Sequence, residues 1–176
     1  MKLGAYLGFL LAPKRPIATE RLRSVFDLDP SALQREGIKA LLLDIDDTIA
    51  GHKDAIPAAS IAWIVAAADY LQIALVSNCG ARRRQDVAEV LGDSLAAVNS
   101  GPDKPGPEAF MEVLQALGLR PDEAVMVGDR LSMDLYGAKL AGIHRRILVE
   151  AFSAVHGGLA APFAYRLLRK LENGRA

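Results

Sequence analysis

The feature that most constrains the fold is an apolar run that ends in a cluster of carboxylates. Residues 39–43 have the length and character of a buried strand, and Asp44, Asp46 and Asp47 follow directly. Crowded like charges at the end of a core strand are costly unless a cation lies among them. A divalent metal, a phosphate-bearing substrate or both would satisfy this requirement.

Asp44 and Asp46 are two residues apart, so in extended geometry their side chains face the same side of the strand end. Thr48 adds a hydroxyl where the chain turns away. The alternative interpretation is an acidic turn that caps the next helix, because Asp and Thr favour turns and N-caps.

Length and composition indicate a globular α/β protein. The 176 residues fit one domain, and 51% of them are hydrophobic, which argues against long disorder. A formal net charge of +0 and an aromatic content of 6% give no sign of a nucleic-acid partner. The single cysteine, Cys79, excludes an intramolecular disulfide framework and suits a cytoplasmic protein.

Two terminal segments leave membrane contact open. Residues 3–12 are apolar but much shorter than the roughly 20 residues of a spanning helix, and we expect no transmembrane segment. They either pack on the domain or lie in a membrane interface. Residues 163–171 form a basic amphipathic segment that either rests on anionic lipid or docks Leu167, Leu168 and Leu171 on the domain. A peripheral position on the inner face of the membrane is therefore the alternative to a purely cytoplasmic one.

Apolar runs alternate with helical patterns along the chain. This alternation predicts right-handed crossovers and an α/β fold with three α/β/α layers, Rossmann-like, around a mainly parallel central sheet. The predicted strands cover residues 38–43, 72–76, 96–98, 124–127 and 146–149, and the predicted helices cover 19–26, 30–36, 58–70, 82–91, 108–117 and 132–141. We expect one domain over residues 1–176, with a lead-in at 1–37, a core at about 38–150 and a basic helix at about 160–172.

Polar residues recur where the predicted strands end. Asp44–Asp46 follow the first strand, Ser77–Asn78 the second and Asp129 the fourth. In open α/β sheets, ligands collect outside the carboxyl ends of the strands. Lys104 lies in a loop stiffened by proline and glycine just before a helix, and its ammonium can reach this edge to bind a phosphate.

These residue types suit phosphoryl transfer. Asp44 is assigned as the nucleophile that forms an aspartyl-phosphate, and Asp46 as the acid and base that protonates the leaving oxygen and then activates water. Mg²⁺ is the expected ion, because hard cations prefer oxygen ligands.

The expected metal ligands are Asp44, the backbone carbonyl of Asp46 and Asp129, with Asp134 in a supporting position nearby and Thr48 beside the turn. Ser77, Asn78 amides and Lys104 are expected to neutralise the phosphoryl oxygens.

The segments Asp44–Thr48, Ser77–Asn78, Lys104–Pro105 and Gly128–Asp134 resemble, in order, the four motifs of the haloacid dehalogenase-like (HAD) superfamily. The resemblance implies a HAD-like fold, a nucleophilic first aspartate, an acid/base second aspartate and Mg²⁺ as the usual ion. The lead-in and the basic C-terminal helix further resemble subfamily IIIA proteins related to the mitochondrial phosphatidylglycerophosphatase. That family more often has Asn at the position of Asp47.

The gaps between the motifs hold no inserted cap domain, so we expect an open site unless another subunit covers it. An open site suits a large or membrane-borne phosphomonoester, or a homo-oligomer. Arg82–Arg84, just after Ser77–Asn78, either receive a second phosphate or lipid headgroup or are simply solvated.

Three functions follow from these patterns. The first is a Mg²⁺-dependent phosphomonoester hydrolase acting on phosphatidylglycerophosphate. The second is the same chemistry on a soluble sugar or nucleotide phosphate. The third is a non-catalytic scaffold protein that keeps the metal site.

Overall fold

The computed structural model describes residue 9 and residues 17–173 of the chain. Its centre is a six-stranded sheet in which every neighbouring pair of strands is parallel. The strands are β1 (Glu20–Leu22), β2 (Ala40–Leu43), β3 (Gln72–Leu75), β4 (Ala97–Val98), β5 (Ala124–Gly128) and β6 (Arg145–Val149). Their spatial order is β1-β6-β5-β2-β3-β4.

Helices follow most strands. They are α1 (Pro30–Arg35), α2 (Ala58–Ala68), α3 (Ala81–Leu91), α4 (Glu108–Leu117), α5 (Tyr136–Leu140), α6 (Phe152–Val155) and α7 (Phe163–Asn173). A π-helical turn, Leu131–Leu135, leads directly into α5. The predicted α/β, Rossmann-like architecture without a large cap is confirmed.

The alternating side chains of β2 build the two halves of the core. Leu41 and Leu43 pack on one face with side chains of α2 and α3, whereas Ala40 and Leu42 pack on the other face with side chains of α4 and α5. All four β2 residues are fully buried, which explains why this strand is apolar without alternation. The three layers therefore follow from the sequence of β2.

The position of β2 in the sheet creates the site. Its neighbours are β3 on one side and β5 on the other, so the chain reverses its winding direction beside β2. Loops that leave β2 and β5 diverge at such a point and open a crevice beyond the carboxyl ends of the strands. The aspartates that follow these two strands enter this crevice.

The helix predicted at residues 19–26 is wrong. Glu20–Leu22 form an edge strand that pairs with β6, and Val25–Asp27 form a 3-10 turn capped by Ser24. Thr19 begins the pairing, because its amide donates to the carbonyl of Arg146. Pairing across more than a hundred residues overrides the local helical pattern here.

Of the apolar segment at residues 3–12, only Phe9 belongs to the part of the chain that the structure describes. Phe9 is buried, packs on Leu131, Leu135 and Leu148, and meets the ring of Tyr136 edge-on at 5.8 Å. This contact agrees with packing on the domain, while the rest of that segment lies outside the described residues. No helix within residues 17–173 has both the length and the apolar character needed to cross a bilayer.

Phe110 on α4 provides the sharpest test of the core. It is fully buried, while its neighbour Met111 is 46% exposed. We predict that Phe110→Ala lowers the free energy of unfolding by about 3–5 kcal/mol, because it leaves a cavity in a packed layer. Urea titration followed by circular dichroism measures this change. Met111→Ala is the matched control, and equal losses for the two variants would contradict the assignment of Phe110 to the core.

Candidate active site

Three buried carboxylates meet at the carboxyl end of the sheet. Asp44 follows β2, Asp129 follows β5, and Asp134 comes from the π-helical turn after β5. Each offers one oxygen atom such that the three atoms lie within 4.8 Å of one another. The predicted meeting of Asp44 and Asp129 is therefore present in the structure, with Asp134 as the third member.

Asp134 reaches the cluster because residue 128 has no side chain. A Cβ atom on Gly128 would lie 2.4 Å from the Asp134 carboxylate, closer than any real contact allows. Asp134 Oδ2 also accepts a hydrogen bond from the Arg130 amide at 3.0 Å, which fixes the π-helical turn against the end of β5. The sequence predicted an ordinary helix over 132–141, and the wider turn is what aims Asp134 inward.

Lys104 is the cation at this cluster. Its ammonium donates to Asp44 Oδ1 at 2.6 Å and to Asp134 Oδ1 at 2.5 Å, and the residue is only 5% exposed. The two carboxylates raise the pKa of Lys104 above its ordinary value and more than offset the opposite effect of burial. Lys104 therefore stays charged at any physiological pH.

Asn78 holds the Lys104 loop in place. Its side-chain amide donates to the Lys104 carbonyl at 2.9 Å, and its side-chain oxygen accepts from the Lys104 amide at 2.7 Å. The Lys104–Pro105 peptide that follows is cis. Sequence reasoning gave Asn78 a phosphate-binding role, whereas its side chain is engaged with this loop.

Ser77 is buried at the end of β3 and lines the same cavity. Its amide donates to the side-chain oxygen of Asn99 at 2.9 Å, a contact that the sequence analysis missed. Thr48 is also buried, and within the described part of the chain its hydroxyl has no hydrogen-bond partner. Thr48 is thus buried in the turn after β2 and is not among the residues that line the cavity.

Asp46 lies apart from the three-carboxylate cluster. Its Oδ1 accepts hydrogen bonds from the Arg83 guanidinium at 2.7 Å and from the Lys53 amide at 3.0 Å. Both Asp46 and Arg83 line the cavity, and the side chain of each is 21% exposed. Asp46 therefore lines the cavity with a cation of its own, Arg83, and does not share Lys104.

Asp47 anchors the C-terminal part of the chain. Its carboxylate accepts from the Ser153 hydroxyl at 2.6 Å and from Arg169 at 2.9 Å, and the same Arg169 nitrogen donates to Asp129 Oδ2 at 2.6 Å. Arg169 thus joins α7 to the end of β5. The sequence gave Asp47 no role, because its partners lie more than a hundred residues further along the chain.

The docking of α7 is polar. Beside Arg169, Glu172 forms an ion pair with Arg130 at 2.6 Å, and Asn173 donates to the Asp129 carbonyl at 3.1 Å. Leu167 and Leu171 are 46% and 59% exposed, so the alternative in which this helix docks through its leucines does not hold for these two residues. The polar face is turned inward because the carboxylates and Arg130 attract it.

The three clustered carboxylates, Asp46, Ser77 and Lys104 line a cavity of about 1140 Å³. Tyr165, Leu168 and Arg169 of α7 form one wall, so the chain covers its own site without a cap domain. His52 and Lys53, in the loop after β2, and Arg82 and Arg83, in the first turn of α3, also line the cavity. A volume of this order accommodates a small organic ligand.

Burial and mutual repulsion weaken the acidity of the cluster. Desolvation, followed by the charges of Asp134 and Asp44, raises the pKa of Asp129 to about 8. Desolvation also raises the pKa of Asp134 to about 6, against the lowering effect of Lys104. Three oxygen donors that repel one another in a buried pocket suit a hard divalent cation, whose charge would offset the effects that raise both pKa values.

Comparison with known proteins agrees with this geometry. Residues 102–151 match the HAD-hydrolase-like family. The probable phosphatase YqeG of Bacillus subtilis is 25% identical over 138 residues, which cover 77% of this chain and 78% of that protein. A glyceraldehyde 3-phosphate phosphatase of Pyrococcus furiosus is 51% identical over 43 residues, but the match spans only 18% of that relative and 24% of this chain.

Solved structures show the same fold. A HAD phosphatase from Thermococcus onnurineus superposes with a TM-score of 0.55 at 18% identity, covering 70% of this chain and all of that one. A haloacid dehalogenase-like protein from Streptococcus pneumoniae gives a TM-score of 0.55 at 14% identity, covering 77% of this chain and 99% of that one. The fold is therefore HAD-like, and the four motif segments occupy the carboxyl edge of its sheet.

The raised pKa of Asp129 generates a test of the metal centre. An aspartate whose folded pKa lies above its unfolded value of 3.8 destabilises the fold as pH rises from that value towards about 8. We predict that the metal-free protein loses unfolding free energy across this range relative to Asp129→Asn, and that Mg²⁺ binding near pH 7 releases a proton.

Urea titrations at several pH values measure the first effect. Calorimetric titration with Mg²⁺ in buffers of different ionisation enthalpy measures the second. Equal pH dependence for the two proteins, together with Mg²⁺ binding without proton release, would contradict this description of Asp129.

Proposed function

We propose that the chain is a Mg²⁺-dependent phosphomonoester hydrolase that works through an aspartyl-phosphate intermediate on Asp44. The observation that carries this proposal is the grouping of Asp44, Asp129 and Asp134 around Lys104 at the carboxyl end of the sheet. The printed names of the relatives, a probable phosphatase and a glyceraldehyde 3-phosphate phosphatase, support the same reaction class.

Asp44 suits the nucleophile. Its Oδ1 is held by Lys104, and its backbone amide donates to the Val127 carbonyl at 3.1 Å, so the carboxylate is fixed at the end of the sheet. Attack by one carboxylate oxygen on phosphorus forms the acyl phosphate and breaks the bond to the leaving oxygen. Such fixed geometry supplies much of the rate enhancement in phosphoryl transfer.

Asp46 suits the acid and base. It lines the cavity two residues after the nucleophile and is separate from the buried carboxylates. Its protonated form gives a proton to the leaving oxygen, and the resulting carboxylate takes a proton from the water that attacks phosphorus. This attack breaks the bond between phosphorus and the Asp44 oxygen. The free Asp44 carboxylate is restored and inorganic phosphate leaves.

Lys104 and Ser77 suit the binding of the phosphoryl oxygens. Lys104 places a positive charge beside Asp44, and Ser77, whose amide is already bonded to Asn99, offers its hydroxyl at the cavity lining. Asp44, Asp129 and Asp134, with the backbone carbonyl of Asp46, would hold the Mg²⁺. When bound, this ion supplies a positive charge that draws electron density from the phosphoryl group.

The nucleophile is tested by a pair of aspartate variants. We predict that Asp44→Asn abolishes phosphate release from p-nitrophenyl phosphate with Mg²⁺ and prevents labelling of the chain as an acyl phosphate. Asp86→Asn is the control, because Asp86 also lines the cavity but is exposed on α3. Phosphate release from Asp44→Asn at the rate of the control would exclude Asp44 as nucleophile. An inactive wild type that still binds Mg²⁺ would favour the scaffold function.

The substrate has two candidate classes. A soluble triose or sugar phosphate is supported by the name of the Pyrococcus relative. A lipid-borne phosphomonoester such as phosphatidylglycerophosphate is favoured by the outer face of α7, where Phe163, Leu167 and Leu171 recur every four residues and are 74%, 46% and 59% exposed. Arg166 and Lys170 lie beside this stripe, the pattern of a helix that rests on an anionic membrane from the cytoplasmic side.

The two classes are separated by vesicle binding and by a substrate panel. For the lipid class, we predict that the protein sediments with phosphatidylglycerol vesicles and hydrolyses phosphatidylglycerophosphate in mixed micelles. The double variant Leu167→Gln/Leu171→Gln should lose both properties and keep hydrolysis of a soluble ester. Val90→Gln/Leu140→Gln is the control, since these two residues are equally exposed elsewhere. Turnover of glyceraldehyde 3-phosphate without vesicle binding would select the soluble class.

A further inference from the structure

The arginine run Arg82–Arg84 follows the second motif, and the structure separates its three members. Arg82 is exposed at the cavity rim. Arg84 donates to the backbone carbonyls of Cys79 and Ser100, at 2.6 and 3.2 Å. Arg83 alone of the three reaches a carboxylate, that of Asp46.

We propose that Arg83 is the positioning residue for the Asp46 acid and base, an inference that rests on the proposed phosphatase function. One nitrogen of its guanidinium donates to Asp46 Oδ1 and to the carbonyl of Asp54, both at 2.7 Å. Arg83 therefore connects α3 to the loop between β2 and α2, which contains Asp54. Its planar head fixes the orientation of the carboxylate as well as its charge.

The contact leaves one oxygen of Asp46 available for proton transfer. Oδ1 already accepts from Arg83 and from the Lys53 amide, while no described residue donates a hydrogen bond to Oδ2. A carboxylate held by one oxygen cannot rotate freely, so the other oxygen keeps a constant direction. Proton transfer needs this, because the donor must lie within hydrogen-bond reach of the leaving oxygen.

Two local features of this arrangement are energetically unfavourable. Lys53, whose amide completes the contact, has a left-handed backbone with φ of 55°, a conformation unfavourable by about 1 kcal/mol or more for a residue with a Cβ atom. Within the described residues, the buried Nε of Arg83 has no hydrogen-bond partner. Both features are uncommon in parts of a structure that only need to be stable, and they cluster at functional sites.

The proton-transfer role predicts a dependence on the leaving group. An alkyl phosphate needs a proton on its departing oxygen, because an alkoxide is a poor leaving group, whereas p-nitrophenolate departs without one. If Arg83 orients Asp46, its loss slows the alkyl ester far more than the aryl ester. A purely structural role would slow both esters by the same factor.

The experiment compares kcat/KM for glycerol phosphate and p-nitrophenyl phosphate, with Mg²⁺, in the wild type and three variants. We expect Arg83→Gln to lower kcat/KM for glycerol phosphate about 10- to 100-fold more than for p-nitrophenyl phosphate, because misplacing Asp46 removes part of the rate factor that acid catalysis supplies. The decrease should be mainly in kcat. Arg83→Lys should recover part of the loss. Arg84→Gln, the matched control, should leave the ratio of the two esters unchanged.

A double variant shows whether Arg83 acts through Asp46. In the Asp46→Asn background, Arg83→Gln should have little further effect on glycerol phosphate, because the group that it orients is gone. Additive losses, or equal losses for both esters in Arg83→Gln, would overturn the proposal while leaving the phosphatase function intact. If the wild type hydrolyses neither ester, the phosphatase function fails. The same cycle measured in unfolding free energy then tests the contact, and zero coupling refutes it.

Discussion

The structure depends on one buried cation that lies between carboxylates. Lys104 is almost fully enclosed and contacts Asp44 and Asp134, which come from different parts of the chain. Burying these charges is expensive, and their mutual attraction repays this only when the geometry is good. Good geometry therefore requires fixed relative positions of three segments: strand β2, the turn after β5 and the loop before α4. Asn78 enforces it by binding both backbone polar groups of Lys104.

The five aspartates of the site form ion pairs with three cationic side chains, and these partners distinguish the aspartates from one another. Asp44 and Asp134 share Lys104, Asp47 and Asp129 share Arg169, and Asp46 alone has Arg83. Asp44, Asp129 and Asp134 lie close enough to one another to hold a metal ion. Asp46, whose partner Arg83 is 21% exposed, stands apart from them and has the proton-transfer role that we propose. Asp44, Asp46 and Asp47, within four residues of chain, thus have different partners and, in the proposed mechanism, different chemistry.

The C-terminal helix covers part of the cavity. In place of a cap domain, α7 encloses one side of the cavity, and ionic contacts to the site itself hold it there. The contacts that hold its inward face are therefore ionic, while Phe163, Leu167 and Leu171 are exposed on its outward face. The cavity lining and the exposed apolar surface therefore involve the same short helix.

The sequence by itself determined the central strands, the order of the motifs and the meeting of Asp44, Asp129 and Lys104 at one edge of the sheet. These follow from local patterns, because parallel strands bring their carboxyl ends together wherever they occur. Only the tertiary structure decided that residues 20–22 form a strand, that Arg83 binds Asp46 and that Arg169 joins Asp47 to Asp129. Each of these depends on a partner dozens of residues away. The periodicity of a segment records which face is buried, but not which side chain it will meet.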